Sequence, residues 1–238
     1  LKYSHVLMVA LSNGAYNDVN ADAWRDGVVH DAAWYGGGWK AHLLPHFDRT
    51  VKPLASATNL IWQNMNEVGQ AGGHGLTVAK AREVQHAMCS EIKSRAPNHL
   101  VFGGVQDAYP GRFVVTAADF AAVHDSPAID GAGMHEYEGH DVGNWGVAGR
   151  FASLKAQMDA LGKVIIIGEY GVGSRGTTTT AELRTARARA KQIAYRNAGA
   201  KTSLIWAVAD PWSTPEPTTG QGAWERMDSP VVAAIAAA

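Results

Sequence analysis

The feature that most constrains this chain is a rhythm of short apolar runs. Runs rich in β-branched and apolar residues recur at 6–11, 60–63, 100–105, 129–134, 164–167 and 203–208. Between them lie stretches with helical spacing at 41–55, 76–95, 117–124, 147–161 and 181–197. Several of the runs are apolar with almost no alternation, so they need cover on both faces, as a parallel strand between helices has. Strand, helix, strand at intervals of about 30 to 40 residues predicts a parallel α/β fold. The segment 181–197 is among the plainest helices, rich in Ala, Arg, Leu and Lys, preceded by threonines able to cap it and closed by Gly199.

An open doubly wound sheet and a closed eight-stranded barrel both fit that alternation. The strand ends separate them. The first run leads into Ser12, Asn13 and Gly14 without the GxGxxG turn of a dinucleotide-binding sheet, and the glycines from Gly168 to Gly176 lack the Lys-Ser/Thr ending of a phosphate loop. Polar and aromatic residues instead sit at or near the C-terminal ends of most runs: Asn66 and Glu67, Gln106 and Asp107, His135 and Tyr137, Glu169 and Tyr170, and Trp206. Barrel enzymes carry their chemistry at that end of the strands.

Composition sets further bounds. With 238 residues and 46% hydrophobic content, residues 1–238 are expected to form a single domain. Lys plus Arg (21) nearly balance Asp plus Glu (22), so no field steers a polyanion to the surface, and nucleic acid is not an expected partner. No apolar run approaches the roughly 18 residues of a membrane helix, so no membrane partner is expected either. The lone Cys89 lies in a helical pattern and reads as core filler, which leaves no internal disulfide or thiolate metal cage. The segment 13–38 is long and irregular, with Tyr16, Trp24, Trp34, Tyr35 and Trp39 in or beside it, and such a loop is usually functional. A second loop, rich in Pro, Thr and Gly, spans 210–222. The chain opens on Leu1, as a processed product or a piece of a longer chain would.

Two runs end in a glutamate. Ile61-Trp62-Gln63-Asn64-Met65-Asn66-Glu67 closes on an Asn-Glu pair, and Val164-Ile165-Ile166-Ile167-Gly168-Glu169-Tyr170-Gly171 carries the second. Either glutamate alone is more often a solvated loop residue. Hydrolysis of a glycosidic bond with retention, however, needs two carboxyl groups about 5 to 5.5 Å apart, one protonated to release the leaving oxygen and one ionised to attack the anomeric carbon. Strands of one barrel can supply both.

Together these runs resemble clan A glycoside hydrolases, the group of cellulase-like and mannanase-like barrel enzymes. The resemblance extends to Ile129-Asp130-Gly131-Ala132-Gly133-Met134-His135-Glu136-Tyr137, similar to the clan's sixth strand with its His-x-Tyr ending, and to Ser203-Leu204-Ile205-Trp206 on the eighth. It implies Glu67 as acid/base, Glu169 as nucleophile, Asn66 as partner of the sugar 2-hydroxyl, Tyr137 as a hydrogen-bond partner of the nucleophile and His135 in the same pocket. It implies Trp206 as a stacking platform; Trp62, Tyr170 and Trp212 are lesser sugar-contact candidates, for which a packing role is about as plausible. Val68 stands where the clan commonly has proline. Only one strand precedes Glu67 where the clan has three, and the arginine of the clan's second strand is missing.

The expectation is therefore a (β/α)8 TIM-barrel type fold, incomplete at its N-terminal end, with about six strands. A partner chain or a missing segment would complete it, since an open barrel exposes strand edges, and the polypeptide alone is expected to be weakly active. The expected function is a retaining glycoside hydrolase, secreted or extracellular, acting on a polysaccharide or oligosaccharide with no cofactor. Two rivals remain. A noncatalytic carbohydrate-binding or assembly module would also keep these strand ends. A metal hydrolase is suggested by ten histidines, but His135 and His140 are five apart rather than the four of a helical zinc motif, and His42 and His46 lack the glutamate after the first histidine.

Overall fold

The computed structural model describes residues 6–12, 30–68, 76–106, 108, 113–136, 146–171, 181–205, 208–209 and 225–226. Six parallel strands hydrogen-bond in chain order: β1 (Leu7–Ala10), β2 (Leu60–Gln63), β3 (Leu100–Gly103), β4 (Gly131–Glu136), β5 (Val164–Tyr170) and β6 (Ser203–Ile205). Five helices alternate with them: α1 (Trp39–Thr50), α2 (Val78–Arg95), α3 (Ala117–His124), α4 (Gly146–Ala160) and α5 (Ala181–Asn197). A further two-residue pair joins Val208–Ala209 to Glu225–Arg226.

The chain falls into two compact units, residues 1–133 with 157–164, and residues 134–156 with 165–238. In the first, β1 to β3 and the start of β4 run in parallel register, with Val9 opposite Trp62, Trp62 opposite Val101, and Phe102 opposite Gly131. Trp62, Met88, Cys89, Ile92, Val101 and Phe120 are buried to 2% or less, so this core sits between the strands and the helices that cross over them. Burial pushes the Cys89 thiol far up, which keeps it an inert packing group.

Local chemistry fixes the helix ends. Thr77 accepts the Lys80 N–H at 3.2 Å to start α2, and Thr116 with Asp119 forms a reciprocal capping box on α3. At the end of α5, Gly199 adopts φ 90°, with its N–H on the Arg196 carbonyl at 3.0 Å and the Ala200 N–H on the Tyr195 carbonyl at 2.9 Å. That pairing is a Schellman stop, which glycine alone enters without a Cβ penalty. The threonines expected to cap α5 lie outside the described residues.

In the second unit β5 pairs with β6 in parallel, with an irregularity between Ile167 and Tyr170. Two strands run further than their apolar runs suggest. β4 continues to Glu136 and β5 to Tyr170, so His135 and Glu169 are strand residues rather than loop residues.

Candidate active site

The strand ends of each unit are built separately, and that of β2 comes first. Beyond Gln63 the backbone N–H groups of Asn64, Asn66 and Val68 donate to the carbonyls of Phe102 (3.2 Å), Ser12 (2.8 Å) and Gly104 (2.9 Å). The Glu67 N–H donates to the Gln106 side-chain carbonyl, and the Gln106 amide reaches Asn66 Oδ1 at 3.5 Å. Glu67 adopts φ 51°, the only positive φ outside glycine among the described residues. For a residue with a Cβ that conformation costs about 1–2 kcal/mol and persists only where the surroundings over-determine it. These five hydrogen bonds supply that determination, and Gln85 reinforces them from α2 by accepting the N–H of Gly104 and, at 3.3 Å, that of Val105. Space is the second requirement. A Cβ on Gly104 would collide with the Met65 carbonyl, and one on Gly103 with the His124 ring.

The second strand end belongs to β4 and β5. Neighbouring residues of a strand face opposite ways, so β4 turns His135 and Glu136 to different sides. His135 Nδ1 lies 3.3 Å from Glu169 Oε2, with the imidazole almost enclosed and the carboxylate 17% exposed. The imidazole thus stands within ion-pairing distance of the carboxylate.

On the other side Glu136 meets α5. Its Oε2 accepts from Lys191 Nζ at 2.7 Å and from the Tyr195 hydroxyl at 2.6 Å, all three side chains being buried. Lys191 Nζ also donates to the Gly171 carbonyl at 2.9 Å. Burial lowers the Lys191 pKa against the pull of Glu136, and burial followed by the Glu136 charge raises that of Tyr195.

The structure thus brings together Asn66 with Glu67, and His135 with Glu169. Tyr137, Trp206 and Trp212 lie outside the described residues. Two lesser candidates turn inward. Trp62 is fully buried and donates its indole N–H to His99 Nδ1 at 2.8 Å. Tyr170 is fully buried too, accepts from Gln192 Nε2 at 2.7 Å and packs edge-on against Tyr195, and burial pushes its hydroxyl up to about 12. Neither offers a ring face to a sugar.

The segment read as an aromatic loop is likewise helical from Trp34 to Gly38. Trp34, Tyr35 and Trp39 are buried, with His30 stacked on Trp34 at 3.8 Å. These rings are core, so the described part of the segment is not the functional loop expected, while Tyr16 and Trp24 lie outside the described residues. Sequence reading gave Gln106 no role and missed the Glu136, Lys191 and Tyr195 cluster. A signal existed: Arg187, Ala188, Lys191 and Tyr195 form the buried stripe of α5, and two of its members are cations.

Parallel strands alternating with helices, with glutamates at or just beyond the C-terminal ends of three of them, are the arrangement of a barrel-type α/β fold. Solved structures agree on the fold. An endo-1,4-β-mannanase from Rhizomucor miehei superposes with a TM-score of 0.72 at 19% identity, covering 97% of this chain and 69% of that one. An endo-β-1,4-mannanase from Thermotoga petrophila gives 0.64 at 18%, over 97% and 56%. A broad-specificity endoglucanase from Ruminococcus champanellensis with bound cellotriose gives 0.62 at 11%, over 86% and 65%. The fold is an incomplete (β/α)8 barrel with six parallel strands. The family model described as cellulase, glycosyl hydrolase family 5, matches residues 41–213, and the chain belongs to that family of glycoside hydrolases. A comparison with curated proteins finds no match.

Proposed function

We propose that the chain is a retaining glycoside hydrolase acting on a β-1,4-linked polysaccharide or oligosaccharide, with Glu169 as nucleophile and Glu67 as acid/base. The observation that carries this reading is Glu169 itself. It is a part-exposed carboxylate near the end of a parallel strand, with an imidazole 3.3 Å away to orient it, in a chain of a glycoside hydrolase family. In the first step a Glu169 oxygen bonds to the anomeric carbon while the glycosidic C–O bond breaks and Glu67 gives its proton to the leaving oxygen. In the second, Glu67 takes a proton from water, the water oxygen bonds to the anomeric carbon and the Glu169 ester bond breaks, regenerating both groups. Asn66, His135, Tyr137 and Trp206 are the proposed sugar-contacting residues. The similar solved structures include two mannanases and an endoglucanase, which makes β-mannan and β-glucan the substrates to assay first.

The test is covalent trapping. Incubation with 2-deoxy-2-fluoro mannosyl and glucosyl donors, followed by peptide mass mapping, is expected to label Glu169. Glu169→Gln should abolish the label, and Glu67→Gln should slow cleavage of unactivated substrates about 10²–10⁴-fold while sparing donors with good leaving groups. A label on any other residue overturns the assignment. Equal oligosaccharide affinity in parent and Glu169→Gln, with hydrolysis by neither, would instead establish a binding module.

A further inference from the structure

Lys191 is a cation on the buried stripe of α5, a position where an apolar residue would cost less. Replacing a buried ion pair by apolar residues is often neutral or stabilising, so stability alone is a weak reason for one. Its geometry offers a stronger reason. The Gly171 N–H donates to the Glu136 carbonyl at 3.3 Å, joining the ends of β5 and β4 through their backbones. Lys191 Nζ joins the same two residues a second time, bonding Glu136 Oε2 at 2.7 Å and the Gly171 carbonyl at 2.9 Å. The result is a closed ring of hydrogen bonds in which one ammonium sets the spacing of two strand ends. Glu136 follows His135 directly, and Gly171 lies two residues past Glu169. The contact that orients the glutamate is therefore bracketed by the ring.

We propose that Lys191 is a positioning residue for Glu169, acting through Glu136 and the Gly171 carbonyl to hold the ends of β4 and β5 at the spacing that keeps His135 on the nucleophile. This rests on the reading of Glu169 as nucleophile. Lys191 never touches the substrate; its effect is on where the carboxylate stands, and a displacement of about 1 Å there can cost about 10²-fold in rate.

The test separates positioning from charge balance. Lys191→Met with Glu136→Gln removes both charges at once and strands neither. This double variant is expected to unfold close to the parent temperature, to bind the fluoroglycoside with unchanged affinity, and to be labelled at Glu169 about ten to a hundred times more slowly. Tyr195→Phe, which leaves both lysine contacts in place, should be labelled within about threefold of the parent rate. Labelling of the double variant at the parent rate overturns the proposal, as does an equal slowing by Tyr195→Phe, which would mean general loosening. Should the double variant fail to fold, Lys191→Arg keeps the charge but cannot centre one nitrogen between both acceptors. It should be slowed about threefold to tenfold, and a parent rate there also overturns the proposal. A parent chain that is not labelled at Glu169 at all is a different result: it removes the nucleophile assignment itself, and this role with it.

Discussion

The end of β2 and the ends of β4 and β5 are fixed by different chemistry, the first through the backbone around Glu67 and the second through ionisable side chains. Around Glu67 the described hydrogen-bond partners of the backbone are neutral: carbonyls of Ser12, Phe102 and Gly104 and the amides of Gln85 and Gln106. Around Glu169 the contacts involve ionisable groups, His135 on one side of β4 and Lys191 with Glu136 on the other. Neutral amides are directional and fix a backbone conformation, which is what a glutamate at φ 51° needs. A buried ammonium between a carboxylate and a carbonyl fixes the spacing of two strands, and it does so with a group that is expensive to leave unpaired. The difference teaches where each end is fragile: losing one amide leaves one N–H without a partner, whereas losing one charge leaves the opposite charge stranded.

The largest expected effect follows directly. Lys191→Met alone leaves Glu136 buried without its cation and should cost about 3–5 kcal/mol in denaturant unfolding. Glu136→Gln in the same background should restore most of that loss. If the single variant costs less than about 1 kcal/mol, the pair is not the buried ion pair described, and the contrast between the two ends disappears.

Acid should find a different weakness, in the first unit. His124 is fully buried against Gly103 at the end of β3, donates Nδ1–H to the Phe120 carbonyl at 2.7 Å, and has its pKa lowered by burial from 6.5 to about 4. The folded chain therefore keeps this ring neutral while the unfolded chain takes up a proton as pH falls below 6.5. Its contribution is fully present above that value and is lost progressively down to about pH 4, a swing of up to about 3 kcal/mol. Unfolding free energies of the parent and His124→Gln at pH 7 and pH 4 should converge at the lower pH. A constant gap would show that the ring titrates normally in the folded state.

The positions of the elements were legible because burial on both faces writes itself into composition: among the described residues the five helices and the six strands of the main sheet stand close to where apolar spacing put them, although the stretch read as helical at 41–55 ends as α1 at Thr50. One error is the helical turn Trp34–Gly38 inside the segment read as a loop, and the others sit at the strand ends. The run at 129–134 is followed by His135 and Glu136, and that at 164–167 by Gly168 and Glu169, so the apolar signal stops where the strand still continues. Polar residues break the hydropathy pattern even inside a strand, which is why the strand limits fell short beside the candidate site. Asn66, Glu67, His135 and Glu169 were singled out through strand-end position and family resemblance. The inward turn of Trp62 and Tyr170 is a matter of facing that hydropathy cannot assign, since both faces of these strands are covered. Lys191 lies 55 residues from Glu136, and no local pattern announces that contact. The conformation of Glu67 was equally silent, because a left-handed position is usually signalled by glycine and here has none.

The smallest of these effects tests the neutral end. Gln106→Ala removes the acceptor of the Glu67 N–H in a buried setting, which should cost about 1–3 kcal/mol. That is less than Lys191→Met, because the group left behind is an amide and not an ion. Part of the loss should be recoverable without restoring any hydrogen bond. Gln106 helps hold a residue with a Cβ at φ 51°, and glycine occupies that region freely, so adding Glu67→Gly to Gln106→Ala should return about 1 kcal/mol while removing the proposed acid/base group. A double variant no more stable than Gln106→Ala would mean that φ 51° carries no strain at this position, and the neutral network would then have to be explained by the placement of Asn66 rather than by the conformation of Glu67.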